Sequence, residues 1–128
     1  MFDLTKKADY GLQLMSFLAQ KYGQGPVSLK IIAKDKKLPL KFLEQIVMPL
    51  RQAGLIKAKE GRAGGYILSF PPKIISVAQV IEALEGPVSV GACFGCPQAQ
   101  ICGQKNVWQE VGNKVRQTIK DKTLADLK

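Results

Sequence analysis

The chemistry-bearing residues of this sequence are concentrated in "GACFGCPQAQICGQKNVW", residues 91–108, which holds all three cysteines of the chain, Cys93, Cys96 and Cys102. Thiolates are soft ligands that select zinc or iron-sulfur clusters, and they are also the nucleophiles of disulfide exchange. There is no histidine anywhere in the 128 residues. That excludes serine or cysteine nucleophiles activated by histidine, and it excludes zinc sites built with imidazole. A closed structural zinc site wants four ligands, and this loop offers three. The odd thiol count leaves at least one cysteine outside any intrachain bridge, so a disulfide framework fits poorly. Nothing pairs a nucleophile with a base, and the sequence reads as a non-enzyme.

The composition bounds what can surround these thiols. At 128 residues the chain fits one domain or a small domain with an appended helix. It is 46% hydrophobic and 23% charged, the balance of an ordinary globular protein. No run approaches the roughly 20 apolar residues of a membrane span. The N-terminal "MFDLTKKADYGLQLMSFLAQKYG" mixes charges into a helical period and carries no signal-peptide pattern. A cytoplasmic, reducing setting is the expectation, in which cysteines serve as ligands or redox-active thiols. The net charge of +9 is uneven: residues 1–62 carry 12 Lys/Arg against 5 Asp/Glu, and the remainder 7 against 5. A basic first half favours a polyanionic partner, because each phosphate neutralised releases counterions.

The elements that must position the thiols follow from periodicity. Residues 4–22 predict a helix with Leu4, Ala8, Gly11, Met15, Leu18, Ala19 and Tyr22 on a core face, while Tyr10, Leu14 and Phe17 fall on a second side. Such a helix is covered twice, by the core and by a further helix or a partner subunit. "GQGP" breaks the chain, and Ser28 is placed to cap a short helix that turns Leu29, Ile32 and Ala33 inward. In "LPLKFLEQIVMPLRQAGL", Pro39 suits the first turn and Gly54 the position past the end. Leu43, Ile46, Val47 and Leu50 share one face; Lys41, Glu44, Gln45, Met48 and Gln52 share the opposite one. Pro49 predicts a kink or an early end.

"LIKAKEGRAGGYILSF" alternates around a glycine-rich tip, with Ile56 and Ala58 before it and Tyr66, Leu68 and Phe70 after it, which predicts a hairpin. "ISVAQVIEALEG" predicts a short helix capped by Ser76, with Val77, Val80, Ile81 and Leu84 inward. After the cysteines, Trp108, Val111, Val115 and Ile119 form a narrow apolar stripe on a helix otherwise rich in charge. That stripe either folds back on its own core or pairs with the same helix of a second copy, two-fold dimers being the commonest oligomers. Short helix, turn, two-faced helix and basic-tipped hairpin together describe a winged helix-turn-helix, whose second helix fits the major groove of DNA. The predicted fold is mainly α with a small β-hairpin wing: a winged helix-turn-helix unit over 1–86, a cysteine loop over 87–103, and a dimerisation helix and tail over 104–128.

"LEQIVMPLRQAGLIKAKEGRAGGYIL", "ISVAQVIEALEG" and the cysteine loop after them resemble the IscR-like and NsrR-like winged-helix regulators, over nearly the whole chain. The resemblance implies a homodimeric DNA-binding transcription factor, usually a repressor, with an iron-sulfur cluster of either the two-iron or the four-iron type. Carried over by position, Glu44 and Gln45 are base readers, Pro39 and Lys41 lie near the phosphate backbone, and the wing meets the minor groove. Relatives often carry arginine just before the first wing glycine; here Glu60 stands there and Arg62 follows Gly61, so Arg62 is the candidate for that groove. The cysteines are also more tightly spaced than in many relatives. In NsrR-like proteins an aspartate of the first helix, supplied by the other subunit, ligates the cluster, and Asp9 occupies the matching position. The expected metal set is therefore Cys93, Cys96, Cys102 and Asp9, with double-stranded DNA and a second copy as partners, and neither membrane nor small-molecule substrate. The alternatives are a regulator of the same fold switched by thiol-disulfide exchange, and a protein-interaction adaptor that presents its basic face to an acidic partner.

Overall fold

The computed structural model describes residues 5–86 and 105–127. The predicted cysteine loop, with Cys93, Cys96 and Cys102, lies outside the described residues, as does Leu4. Among the described residues, six α-helices and a two-stranded hairpin follow in the order α1 (Lys6–Gln20), α2 (Leu29–Lys36), α3 (Leu40–Gln52), β1 (Ile56–Lys59), β2 (Gly65–Leu68), a 3₁₀ turn (Pro72–Ile74), α4 (Val77–Glu85), α5 (Lys105–Asp121) and α6 (Leu124–Leu127). This is the predicted mainly helical winged fold.

Helix α1 starts where Thr5 takes extended geometry and its hydroxyl accepts the Ala8 N–H at 3.2 Å. It is covered on two sides, as its two apolar sets require. Ala8, Met15, Leu18 and Ala19 are buried, and so are Leu14 and Phe17. Both coverings come from the chain itself, since α1 packs against α3 and α4 and also meets α2, β2 and α6. Each such fully buried large aliphatic side chain stabilises the fold by about 1.5–3 kcal/mol. Gly11 permits the closest approach, because a Cβ there would overlap the Leu84 side chain of α4. Tyr22 is not part of the core: the helix ends at Gln20, the chain turns through Gly23, and Tyr22 is left 45% exposed.

Helix α2 is capped by the Ser28 hydroxyl, which accepts the Ile31 N–H at 3.4 Å, and it buries Ile32 completely while Leu29 and Ala33 pack partly. Helix α3 buries Leu43, Ile46, Val47 and Leu50. Pro49 does not end it early, for the helix continues to Gln52. The carbonyl that loses its donor to Pro49 belongs to Gln45, an exposed residue, where water can take the place of the missing N–H. Gly54, with φ of +77°, then turns the chain into β1.

Strands β1 and β2 pair antiparallel with Ile56 opposite Leu68 and Ala58 opposite Tyr66. Only the Ile56–Leu68 end is buried; Ala58 is exposed, and Phe70 lies beyond β2 with 47% exposure. Ser76 opens α4 with a reciprocal cap, its hydroxyl accepting the Gln79 N–H at 3.1 Å and its own N–H donating to Gln79 Oε1 at 2.8 Å. The C-terminal segment returns to this point. Val77 N–H donates to the Lys122 carbonyl at 2.8 Å and Leu124 N–H to the Ile75 carbonyl at 3.0 Å, which seats the fully buried Leu124 in the same core as α1 and α3.

Candidate nucleic-acid interface

The turn between α2 and α3 sets the geometry of the candidate reading surface. Lys37 takes the left-handed conformation (φ 56°, ψ 46°) and Leu38 N–H donates to the Ala33 carbonyl at 2.9 Å, closing α2. Pro39, at φ −65°, then leads into α3. A three-residue turn between two helices that both bury one face is the helix-turn-helix connection.

Because α3 spends its apolar face on the core, everything opposite must be solvated. Lys41, Glu44 and Gln45 are exposed there together with Met48, at 60% exposure, and Gln52. Pro39 is exposed at the start of the same helix. Arg51 belongs to this surface too, and the sequence reading passed over it. Its signal was available, since Arg51 follows Glu44 by seven residues, two helical turns. The face thus presents a carboxylate that can accept from a cytosine amino group, an amide that can pair with adenine, a methyl-bearing side chain suited to a thymine methyl, and two cations for phosphates.

The wing is a second exposed projection. Glu60, Gly61, Arg62 and Ala63 form its tip, all exposed, and Gly64 N–H donates to the Gly61 carbonyl at 3.0 Å. A Cβ on Gly64 would overlap the carbonyl oxygens of Lys59 and Gly61, so the tight tip requires that glycine. Lys57 and Lys59 are exposed along β1. Val27 ties the wing to the helices, for Val27 and Tyr66 exchange N–H···O bonds of 3.0 and 2.8 Å.

Asp9 is exposed on the first turns of α1, where its carboxylate accepts from Gln13 Nε2 at 3.1 Å. Its neighbour Tyr10 meets Phe42 of α3 edge to face, with ring centroids 5.2 Å apart and planes at 83°. One turn earlier, the Thr5 hydroxyl donates to the Glu85 carboxylate at the end of α4. Helix α1 therefore touches both the first turn of α3 and the last turn before the cysteine segment. Among the described residues there is no cluster of three or more Cys, His, Asp or Glu that could hold a metal. Asp9 is the one member of the expected metal set with a described position.

Trp108, Val111, Val115 and Ile119 are each half-buried on α5. Within the chain that helix packs on α4. Its other described exposed residues are polar or charged apart from Val107, and include a Glu110–Lys114 pair at 3.8 Å that contributes little to stability.

The chain resembles known proteins along its whole length. The sequence model of one family, Rrf2, described as an iron-dependent transcriptional regulator, matches residues 4–128. The helix-turn-helix transcriptional regulator CymR of Bacillus subtilis is 38% identical over 124 residues, 97% of this chain and 88% of that protein. Its solved structure, described as that of the global cysteine regulator of B. subtilis, superposes with a TM-score of 0.86 at 39% identity, over 99% of this chain and 96% of that one. A structure of Staphylococcus aureus CymR in an oxidized form gives 0.81 at 40% identity, over 98% and 95% of the two chains. T. potens IscR gives 0.84 at 38% identity, over 98% and 85%.

Proposed function

The chain belongs to the Rrf2 family of winged-helix transcriptional regulators, and from that premise we propose that it is a homodimeric repressor whose hold on DNA is set by thiol chemistry at Cys93, Cys96 and Cys102. DNA-binding transcriptional regulation is the function of the family; the thiol control is the finer reading. The observation that carries it is the likeness, at about two-fifths identity over nearly the whole chain, to a global cysteine regulator and to the oxidized form of its S. aureus counterpart.

The covalent step is simple. Two thiols lose two protons and two electrons to an oxidant, a peroxide or a disulfide of low molecular mass, and form one S–S bond while the oxidant is reduced. A third thiol remains for exchange. The segment that carries them runs from Gly86, at the end of α4, to Lys105, at the start of α5. A bridge within it shortens the path between those two helix ends. Helix α4 packs on α1 and α1 on α3, so the displacement bears on the orientation of the reading helix. In a dimer the two reading helices must match half-sites about 34 Å apart, which makes small rotations costly.

The second reading is an iron-sulfur cluster on Cys93, Cys96, Cys102 and Asp9. It is favoured by the family's iron-dependent description, by the likeness to T. potens IscR, and by the exposed carboxylate of Asp9. A bound cluster would supply a redox-sensitive charge beside the loop. The two readings separate in one preparation. Protein purified without oxygen is analysed for iron, sulfide and visible absorbance, then oxidised and weighed by mass spectrometry before and after reduction. Colourless protein that loses one hydrogen mass per cysteine bridged, and changes its DNA affinity on reduction, supports the thiol reading. Stoichiometric iron and sulfide would replace it with the cluster reading.

A further inference from the structure

A cavity of about 380 Å³ opens between the end of α1, the turn that follows it and the strands of the wing. Its described lining residues include none from the outward face of α3, and neither of the readings above uses it. Its origin is local. Gly65 carries no side chain, so β2 can approach the backbone of Val27 and Ser28 where a Cβ would overlap them. The Val27–Tyr66 bridge then holds the wing against the helices. To one side of this tie the chain turns through Gly23 and Gly25, both at positive φ, and nothing lies within 4 Å of where their Cβ atoms would be. The turn leaves open the space that side chains would otherwise fill.

The walls state what could enter. Leu18, Val27 and Leu68 line the cavity with aliphatic groups, and the rings of Tyr22 and Tyr66 add aromatic surface. Tyr22 is 45% exposed, a large ring beside an open cavity rather than in the core. The charged groups lining the cavity are Lys21 and Lys59, and among the described residues no carboxylate joins them. The Lys21 ammonium sits 5.8 Å from the ring of Phe17, which is not among the described lining residues, so Lys59 is the cation whose charge the cavity can use most directly. The volume falls within the range of small-molecule sites, roughly 300–1,000 Å³. Apolar walls with cations at the rim suit a small molecule with a hydrophobic body and one anionic group.

We propose that this cavity binds a small hydrophobic carboxylate and that its occupant weakens the wing's contact with DNA. The coupling is built into Lys59, which lines the cavity and directly precedes the wing tip at Glu60. A carboxylate that engages Lys59 withdraws it from phosphate. An occupant also touches Val27 on one side of the tie and Tyr66 on the other, so it favours one placement of the wing over others. Binding is independent of the cysteines; the effect on DNA rests on the reading of the wing as a DNA contact.

The test uses the full chain labelled with nitrogen-15 and 3-phenylpropanoate as the probe. Amide shifts should cluster at Tyr22, Gly23, Gly25, Val27, Lys59 and Tyr66. Affinity should fall about tenfold when the probe is the neutral 3-phenylpropanamide, and by a similar factor in Lys59→Gln, since a charge-assisted contact is lost in each case. Equal affinity for acid and amide would overturn the proposal. So would shifts spread over α3, or the same cluster of shifts produced by inorganic phosphate alone at the same concentration, which would make the cavity part of the DNA surface. With a duplex selected from a random pool, the acid should weaken binding by the wild type and leave Lys59→Gln unaffected by the probe. Probe that binds without changing DNA affinity would overturn the coupling and leave the site standing, whereas a chain that binds no duplex at all would instead refute the DNA reading.

Discussion

Helices α3 and α5 are both amphipathic, yet they dispose of their apolar faces differently. In α3 the four residues Leu43, Ile46, Val47 and Leu50 are all buried by the chain's own core, and the opposite face is polar apart from Met48. In α5 the four residues Trp108, Val111, Val115 and Ile119 are only half-buried. The first helix is complete and offers its other face to a hydrated, charged partner. Among the described residues, the second packs mainly on α4, and its stripe is covered only in part. The same periodicity thus leads to two kinds of surface, and what distinguishes them is how much of the apolar face the chain itself can bury. We propose that a second copy of the chain covers this stripe, an arrangement compatible with the two-fold symmetry that paired half-sites require.

The contrast breaks most readily at α5. Val115→Asp places a charge in the stripe, and sedimentation should show the dimer replaced by monomer while circular dichroism keeps the helical signal of the core. DNA affinity should then fall by roughly 10²–10⁴, the gain that linking two binding units supplies. A dimer that persists unchanged would remove α5 from the interface. The corresponding change on the buried face of α3, Leu43→Ala, should act on stability instead. Deleting a fully buried leucine side chain costs about 2–5 kcal/mol, read as a lower denaturant midpoint at constant m-value. Val115→Asp should move association far more than unfolding, and Leu43→Ala the reverse.

Much of this arrangement was legible because its signals are local. Ser28 and Ser76 cap the helices they precede, Gly54 turns the chain after α3, and the inward residues of α3 and α4 follow from period alone. Tyr22 was misplaced for an equally local reason: a helical period continued past Gln20 puts it on the core face, but the chain has already begun to turn. Helix α3 does not take the early end that Pro49 allows, since the cost of an interior proline depends on whether the deprived carbonyl is buried, and Gln45 is exposed. Contacts between residues distant in sequence were not legible. Nothing in "TKKADYGL" announces that Tyr10 will meet Phe42, or that Thr5 will reach Glu85. The cavity beside the wing arises from what Gly23, Gly25 and Gly65 lack, and an absent side chain leaves no hydrophobic pattern to read.

Within the exposed face of α3 the comparison can be sharpened further. Glu44→Ala removes an acceptor from a solvated position, so stability should change by less than about 0.5 kcal/mol. Its effect belongs to sequence preference: discrimination at one base pair should relax by about 1–3 kcal/mol, measured by competition among operators that differ at that pair. An equal loss on every sequence would reassign Glu44 from reading bases to general electrostatics.

Lys41 should show the opposite signature at the smallest amplitude. It is exposed on the same face, one turn before Glu44, and its flexible ammonium acts as a point charge rather than a planar reader. Lys41→Ala should weaken binding to matched and mismatched duplexes alike. If Lys41 neutralises one phosphate, the slope of log affinity against log salt should become shallower by about 0.9, because one fewer counterion is released on binding. The difference between mutant and wild type should therefore shrink as salt rises, while the loss in Glu44→Ala persists, since a base-edge hydrogen bond releases no counterion. A salt slope identical to that of the wild type would place Lys41 outside the phosphate contacts and shift that role along α3 to Arg51, the other cation on the face.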